Sequence, residues 1–145
     1  MSDTSTMTER WLAAIADSGS SGARDHELDA AAAALGIKFP EDYRDLMRHA
    51  NGGEGEFGDS WIRLWRAEDL CERNPGLEIP GYAAGFTFFG TNGGGEAYAW
   101  DWRPERRSRY VVIPFIVPDP DVAVPCGDTL EEFLAVLHGG IPFGG

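Results

Sequence analysis

The segment whose residue types come nearest to a binding motif is Gly90–Asp101, with the sequence GTNGGGEAYAWD. Its four leading glycines could wrap a phosphate group. Such loops, however, need a lysine in the GxxxxGK[ST] pattern or a helix N-terminus directly after the glycines. Here the first charged residue is Glu96, and the residues after it alternate as they do in a strand. The segment therefore predicts a β-hairpin that turns at Asn92-Gly93, and not a nucleotide site.

A second candidate for chemistry is the acidic segment EGEFGD, which contributes the carboxylates of Glu54, Glu56 and Asp59. Carboxylate oxygens are ligands for Ca²⁺, but the D-x-[DN]-x-[DN]-G pattern of a calcium loop is missing. The three histidines of the chain also lack the HxxxH spacing of a helical zinc site. We interpret the acidic segment as a loop that is either solvated or directed at a partner.

Catalytic residue types occur without a catalytic context. Ser60, Ser108 and Thr129 do not stand in a nucleophile elbow. Asp119 and Asp121 flank a proline, but paired carboxylates act as acid and base only in a shared cleft, which the sequence does not indicate. We therefore predict that the protein is not an enzyme and needs no cofactor or metal.

Tryptophan and arginine form the pattern most typical of a binding surface. In the segment WIRLW, strand alternation places Trp61, Arg63 and Trp65 on one face. Aromatic residues usually belong to a core, yet one face of an antiparallel sheet can stay open, and Arg63 indicates that this face is partly wet. Because Trp and Arg dominate the binding energy of interfaces, we expect this face to contact a partner.

The elements that position these residues follow from hydrophobic spacing, which is helical in four segments and alternating in four others. The predicted helices are 8–17, 25–35, 40–50 and 128–138, with a further short helix at 67–74; the predicted strands are 61–65, 86–89, 96–102 and 109–115. Prolines predict irregular structure between residues 114 and 125. Helices followed by a strand-rich middle and a last helix predict an α+β fold with a mostly antiparallel sheet.

Composition narrows the class of partner. The chain has 145 residues, which predicts one domain, and 24 acidic against 12 basic residues give it a net charge of −12. Such acidity disfavours nucleic acids and anionic membranes and favours a basic partner. Cys71 and Cys126 form no CxxC pair, and the N-terminal residues lack the features of a signal peptide. We therefore expect a cytoplasmic protein.

Five segments together resemble the SMI1/KNR4 family of the SUKH superfamily. Phe86–Asp101 resembles its central signature, in which a strand reaches G-x-N-G-G-G-E and the next strand ends in an acidic residue. The other four segments follow the order of the family: Leu35–Tyr43 resembles LG-x-x-L-P-x-x-Y, Asn51–Gly53 resembles NGG, Ile62–Leu70 resembles I-x-L-(Y/W)…E-x-L, and Asp128–Leu134 resembles S-F-E-E-F-L. The resemblance covers nearly the whole chain.

The resemblance implies an α+β domain, an antiparallel sheet packed by helices, over residues 25–145, preceded by a flexible N-terminus (residues 1–24) that can contain a short helix. It also implies a function, because many bacterial members resemble cytoplasmic immunity proteins that inhibit secreted or contact-delivered toxins, often nucleases or deaminases. No catalytic residue carries over from the family.

The sequence thus leads to the hypothesis of an immunity protein that occludes a cognate, basic toxin domain. The residues that we expect to face this partner are Glu54, Glu56, Asp59, Trp61, Arg63, Glu96 and Asp101. Two alternatives remain open at this stage. One is a regulatory scaffold for protein–protein interaction, and the other is a small-ligand-binding module or enzyme with a site in the concave side of the sheet.

Overall fold

The structure is a computed structural model that describes residues 6–16, 21–77, 81, 83–116 and 118–139, and every structural statement below concerns these residues. The helices are α1 (Met7–Ala14), α2 (Asp25–Leu35), α3 (Glu41–His49) and α4 (Leu130–His138). The strands are β1 (Gly53–Phe57), β2 (Ser60–Leu64), β3 (Phe86–Thr91), β4 (Glu96–Asp101), β5 (Tyr110–Pro114) and β6 (Val124–Gly127).

Within the described residues, the strands form one antiparallel sheet in the order in which they occur along the chain. Helices precede the strands, and α4 follows them. The prediction of an α+β fold with an antiparallel sheet is therefore confirmed.

One side of the sheet, which we call the helix face, carries the aromatic core. The ring of Trp100 stacks on Phe89 at 4.5 Å between centroids, and Tyr43 of α3 meets Trp100 at 4.7 Å. Phe133 of α4 lies 5.3 Å from Tyr98. These rings are fully buried, so the helix face holds α3 and α4 by the apolar surface that they remove from water.

A single carboxylate joins three elements at this face. Asp42 of α3 accepts hydrogen bonds from the hydroxyl of Tyr110 in β5, at 2.8 Å, and from the backbone N–H of Leu130 in α4, at 2.7 Å. The second bond satisfies one of the free N–H groups at the start of α4. Thr129 accepts a bond from the N–H of Glu132, as expected for a helix cap.

The opposite side, the outer face, is covered over β3 to β5 but open over β1 and β2. Phe115 packs against Phe88 at 5.4 Å and Trp65 at 6.1 Å, and these residues cover the middle of the sheet. Ala97 and Ile113, which lie on this face, are therefore fully buried. The outer residues of β1 and β2 have no such cover and stay partly or fully exposed.

The glycine-rich segment forms the predicted hairpin between β3 and β4. Gly93 and Gly95 have φ angles of +80° and +101°, which side-chain-bearing residues rarely adopt. The side-chain oxygen of Asn92 accepts the N–H of Gly94 at 2.8 Å, a bond typical of such turns. The prediction of a turn is confirmed.

The other predicted elements match the structure unevenly. Helix α2 has its predicted bounds and ends at Gly36, whose φ is +71°. Helix α1 ends at Ala14, whereas the predicted helix extends to residue 17, which lies outside the described residues. Trp11 of α1 and Ile15, which directly follows this helix, belong to the core. The domain boundary at residue 25 stays a prediction.

Two strands contradict the sequence analysis. The acidic segment was expected to be a loop, but Glu54 and Glu56 lie in β1. Strand β6 lies at the end of the proline-rich stretch that was expected to be irregular. Both strands are at the edges of the sheet, where pairing with one neighbour is sufficient.

Candidate partner-binding surface

The open part of the outer face consists of four side chains of the β1–β2 hairpin, which we call the hairpin face: Glu54, Glu56, Trp61 and Arg63. The register sets Glu54 opposite Arg63 and Glu56 opposite Trp61. The alternate residues of β1, Gly53, Gly55 and Phe57, lie on the helix face, where a Cβ at Gly53 would lie 2.8 Å from Cδ1 of Ile15. The sequence GEGEF therefore points its carboxylates outward.

Charge and aromatic contacts organise this face. The guanidinium of Arg63 lies 2.9 Å from the carboxylate of Glu54 and 5.3 Å from the ring centroid of Trp61. Both charged side chains are about half exposed, at 46% and 50%, so the ion pair contributes only about 0.2–1 kcal/mol. The ion pair holds Arg63 against the indole of Trp61. Glu56 makes no ion pair among the described residues.

The glycine-rich turn supports Trp61 from the neighbouring hairpin. A Cβ atom at Gly93 would lie 2.9 Å from Cζ3 of the indole, so only glycine lets the turn pack this closely. The hydroxyl of Tyr98 donates a hydrogen bond to the backbone carbonyl of Trp61 at 3.1 Å. The segment GTNGGGEAYAWD thus positions a tryptophan of the candidate surface.

A groove of about 380 Å³ continues the hairpin face toward residues 65–73. Three arginines line it, and each has a local partner: Arg63 has Glu54, Arg66 has Asp69 at 3.0 Å, and Arg73 lies 5.5 Å from the ring of Trp65. The hydrogen bond to Asp69 raises the pKa of Arg66. The sequence analysis missed Arg66 and Arg73, although three arginines in eleven residues are conspicuous in an acidic chain.

Two other predicted residues lie outside the hairpin face. Asp59 is exposed in the β1–β2 turn, and its backbone N–H donates to the carbonyl of His138 at 2.9 Å. Glu96 begins β4 and lies on the same face of the strand as Tyr98 and Trp100, so its half-buried side chain belongs to the helix-face side of the sheet. Neither side chain has an ion-pair partner among the described residues.

Asp101 requires a correction, because it is 1% exposed and cannot contact a partner as the fold stands. Arg103 binds both of its carboxylate oxygens, at 2.8 and 2.9 Å, and donates its backbone N–H at 3.0 Å. Burial opposes ionisation, but the hydrogen bonds and charge of Arg103 outweigh it, so the pKa of Asp101 lies below its ordinary value. Asp101 is a structural residue that fixes the start of the β4–β5 connection.

Comparison with known proteins gives the family. The sequence model of the SMI1/KNR4 family, SUKH-1, matches residues 22–136. The chain belongs to the SMI1/KNR4 family. A search of curated proteins finds no match. The hairpin face, the groove and the glycine-rich turn all lie within the SMI1/KNR4 match, whereas α1 precedes it.

The hydroxyls that could have acted as nucleophiles are engaged in this SMI1/KNR4 structure. Ser60 and Ser108 donate to the backbone carbonyls of Leu137 and Tyr110, and Thr129 caps α4. The described part of the chain has no group of three or more His, Cys, Asp or Glu residues that could hold a metal ion. None of its described helices has the length and apolarity required to cross a membrane.

Proposed function

We propose that this SMI1/KNR4 protein is an immunity protein that binds a cognate toxin domain and neutralises it by occlusion. The observation that supports this most is the hairpin face, where a half-buried tryptophan and an exposed arginine lie beside two exposed carboxylates. Membership of the SMI1/KNR4 family points in the same direction.

Charge indicates the kind of toxin. A net charge of −12 attracts a basic partner over long distance and speeds its association. Enzymes that act on nucleic acids need basic clefts, because phosphate contacts supply much of their affinity. A nuclease or a deaminase is therefore the class of toxin that we propose, and the protein itself does not need to bind nucleic acid.

Trp61 is the proposed anchor of the complex. It is half-buried, so its ring is already held by Gly93 and Arg63 and loses little freedom on binding. Glu54 and Glu56 flank it with charge, and Asp59 lies in the adjacent turn. Glu96 remains a predicted contact on the helix-face side of the sheet. Inhibition is stoichiometric, since covering a cleft requires no reaction, and it takes place in the cytoplasm if the toxin acts there.

The test is a binding titration with the C-terminal domain of a large secreted protein encoded by a neighbouring gene, at two salt concentrations. We expect one-to-one binding that weakens with salt and abolishes toxicity when both proteins are expressed together. Trp61→Ala should weaken binding by at least about 30-fold, the effect of losing about 2 kcal/mol at an interface centre. Val122→Ala, at an exposed apolar residue beside the opposite edge of the sheet, is the control and should bind like the wild type.

The alternatives give different results in the same experiment. A regulatory scaffold would leave the toxin domain unbound at low salt and would capture a host-cell protein instead. A small-ligand module would carry an anionic ligand in the arginine-lined groove after purification, which native mass spectrometry would detect. Absence of binding at low salt would contradict the proposed pairing.

A further inference from the structure

We infer that the partner adds a basic β-strand to the free edge of β1, so that the sheet continues from one protein into the other. This inference rests on the proposed function for one point only, which is that the partner is a protein domain. It assigns the contact to the backbone of β1, next to the hairpin face, and it specifies the sequence pattern of the strand that fits.

The first step is the direction of the backbone groups in β1. Strands β1 and β2 are joined by the two-residue turn Gly58-Asp59, and Gly58 has the positive φ, +60°, that the first turn residue of a type II′ hairpin requires. In such a hairpin the flanking pair, Phe57 and Ser60, is hydrogen-bonded, and the following pairs alternate. Glu54 and Glu56 therefore belong to pairs without hydrogen bonds, and their N–H and C=O groups point away from β2.

Contacts of β2 support this assignment. The carbonyl of Trp61, which lies opposite Glu56, accepts a hydrogen bond from Tyr98. Trp65 lies four positions after Trp61, so its backbone groups point in the same direction along the extended chain. Its N–H donates to the carbonyl of Phe89 in β3 at 3.2 Å. Because these groups of β2 and of the residue directly after it point toward β3 and β4, the groups of β1 opposite this set of residues point to the outside of the sheet.

The second step is that this edge is open. No hydrogen bond to the outward backbone groups of Glu54 or Glu56 occurs among the described residues, and both side chains are exposed. The other edge of the sheet, β6, contains Pro125, which lacks a donor and discourages strand addition. An edge with free donors and acceptors is a template for a strand from another chain.

The third step is the chemistry of the two sides of an added strand. On the outer side its residues would stand opposite Glu54 and Glu56, where lysine or arginine forms favourable cross-strand pairs. The residue between them would point to the other side, beside Gly55, where the end of α1 is close: a Cβ at Gly55 would lie 3.7 Å from the carbonyl oxygen of Ala14 and 3.8 Å from Cγ2 of Ile15. The strand that fits reads basic–apolar–basic.

The same charges disfavour a second copy of this chain as the occupant. Antiparallel pairing of two β1 edges about Gly55 would set Glu54 of each copy opposite Glu56 of the other. Like charges directly opposite one another are destabilising, and no described cation other than Arg63 neighbours these carboxylates in the hairpin face. The edge therefore selects a basic strand and opposes pairing with itself.

The experiment uses the full chain and a cyclised β-hairpin peptide whose free strand reads Lys-Val-Lys-Val-Lys, with Glu-Val-Glu-Val-Glu as the matched control. Amide hydrogen exchange is followed residue by residue by NMR. With the basic peptide, exchange at Glu54 and Glu56 should slow at least tenfold at saturation, while the Gly55 amide, already bonded to β2, should change little. The acidic peptide should have no effect.

A pair of variants separates backbone from side-chain contacts. Glu56→Gln removes the charge and keeps the outward N–H, whereas Glu56→Pro removes both and leaves the bonds to β2 in place. The proline variant should bind the basic peptide at least about tenfold more weakly than the glutamine variant. Circular dichroism checks that both are folded, and Glu54→Pro replaces Glu56→Pro if that variant is not.

Several results would overturn the inference. The inference fails if the glutamine and proline variants bind the basic peptide equally, or if the peptide binds without protecting the amides of Glu54 and Glu56. It also fails if there is no binding at about 1 mM peptide. Protection that rises with protein concentration in the absence of peptide would indicate self-pairing and would likewise overturn it. The peptide assay is independent of the toxin. A toxin domain that binds without protecting Glu54 and Glu56 would leave the proposed function intact and reject strand addition.

Discussion

Asp101 and its partner Arg103 are the clearest case in which the surroundings of a residue decide its role. The carboxylate accepts three hydrogen bonds from Arg103 and is removed from water. A hydrogen bond to a charged group contributes about 1.5–3 kcal/mol to stability. Asp101 therefore stabilises the β4–β5 connection and is not available to a partner.

Replacing Asp101 should change how stability depends on pH. Its pKa in the folded protein is below the ordinary value of 3.8, so its contribution is present above that value and is lost as the pH falls through the folded pKa. We expect Asp101→Asn to lower the free energy of unfolding by about 1–3 kcal/mol at pH 7, and by less at pH 3. Urea unfolding at both pH values measures this difference. Asp59→Asn, at an exposed residue, is the control, and an equal loss for Asp101→Asn at both pH values would contradict the assignment.

Sequence alternation correctly predicted that Trp61 and Arg63 share a face, because a strand of period two leaves no other arrangement. It could not show that Asp101 is buried. The position of a residue in a strand gives the face to which its side chain points. Its burial, however, depends on segments distant in sequence and, for Asp101, on Arg103, whose side chain returns to the carboxylate. The D-x-R spacing of Asp101 and Arg103 was the one local signal of this pair.

Among the elements, β1 and β6 show where pattern-based prediction fails. The sequence GEGEF of β1 lacks β-branched residues, and β6 contains a proline, so their own propensities do not indicate strands. They are strands because β2 and β5 offer them a free edge. The β3–β4 hairpin was predictable, since its turn residues and alternating aromatics carry the information locally.

Gly90 tests how the hairpin element supports the candidate surface. A Cβ at Gly90 would lie 2.5 Å from the carbonyl oxygen of Arg63 and 3.0 Å from the side chain of Leu64. Gly90→Ala must therefore push β3 away from β2, and we expect the free energy of unfolding to fall by about 1–3 kcal/mol. Gly94→Ala is the matched control in the same segment, because the nearest atom to its Cβ lies at 3.5 Å. It should change stability by less than about 0.5 kcal/mol, and equal effects in chemical denaturation would contradict this account.

At the scale of the whole molecule, basic residues are not spread evenly over the acidic surface. Arg63, Arg66 and Arg73 line the groove, and Arg44, Arg48 and Arg103 pair with nearby carboxylates. Carboxylates that have no ion-pair partner among the described residues, such as Glu56, Asp59 and Glu72, contribute to the net charge of −12. Unpaired like charges destabilise the folded state and attract a basic partner by the same long-range field.

Salt should consequently act in opposite directions on stability and on binding. Raising the ionic strength from about 0.01 M to about 0.1 M shortens the Debye length from about 30 Å to about 10 Å, which screens both effects. We expect the thermal unfolding midpoint of the free protein to rise by about 2–4 °C, which corresponds to about 1 kcal/mol in a chain of this size. The same change should weaken binding to a basic toxin domain. Differential scanning calorimetry and the binding titration measure the two trends.

A charge-reduced variant shows whether the unpaired carboxylates are the cause. Glu56→Gln, Asp59→Asn and Glu72→Gln together bring the net charge from −12 to −9 without removing an ion pair found among the described residues. Its midpoint at low salt should lie above that of the wild type, and its gain on adding salt should be smaller, because less repulsion remains to be screened. A variant with the same salt response as the wild type would mean that the acidity of this protein does not set its stability, and the charge argument for its partner would then depend on the binding titration alone.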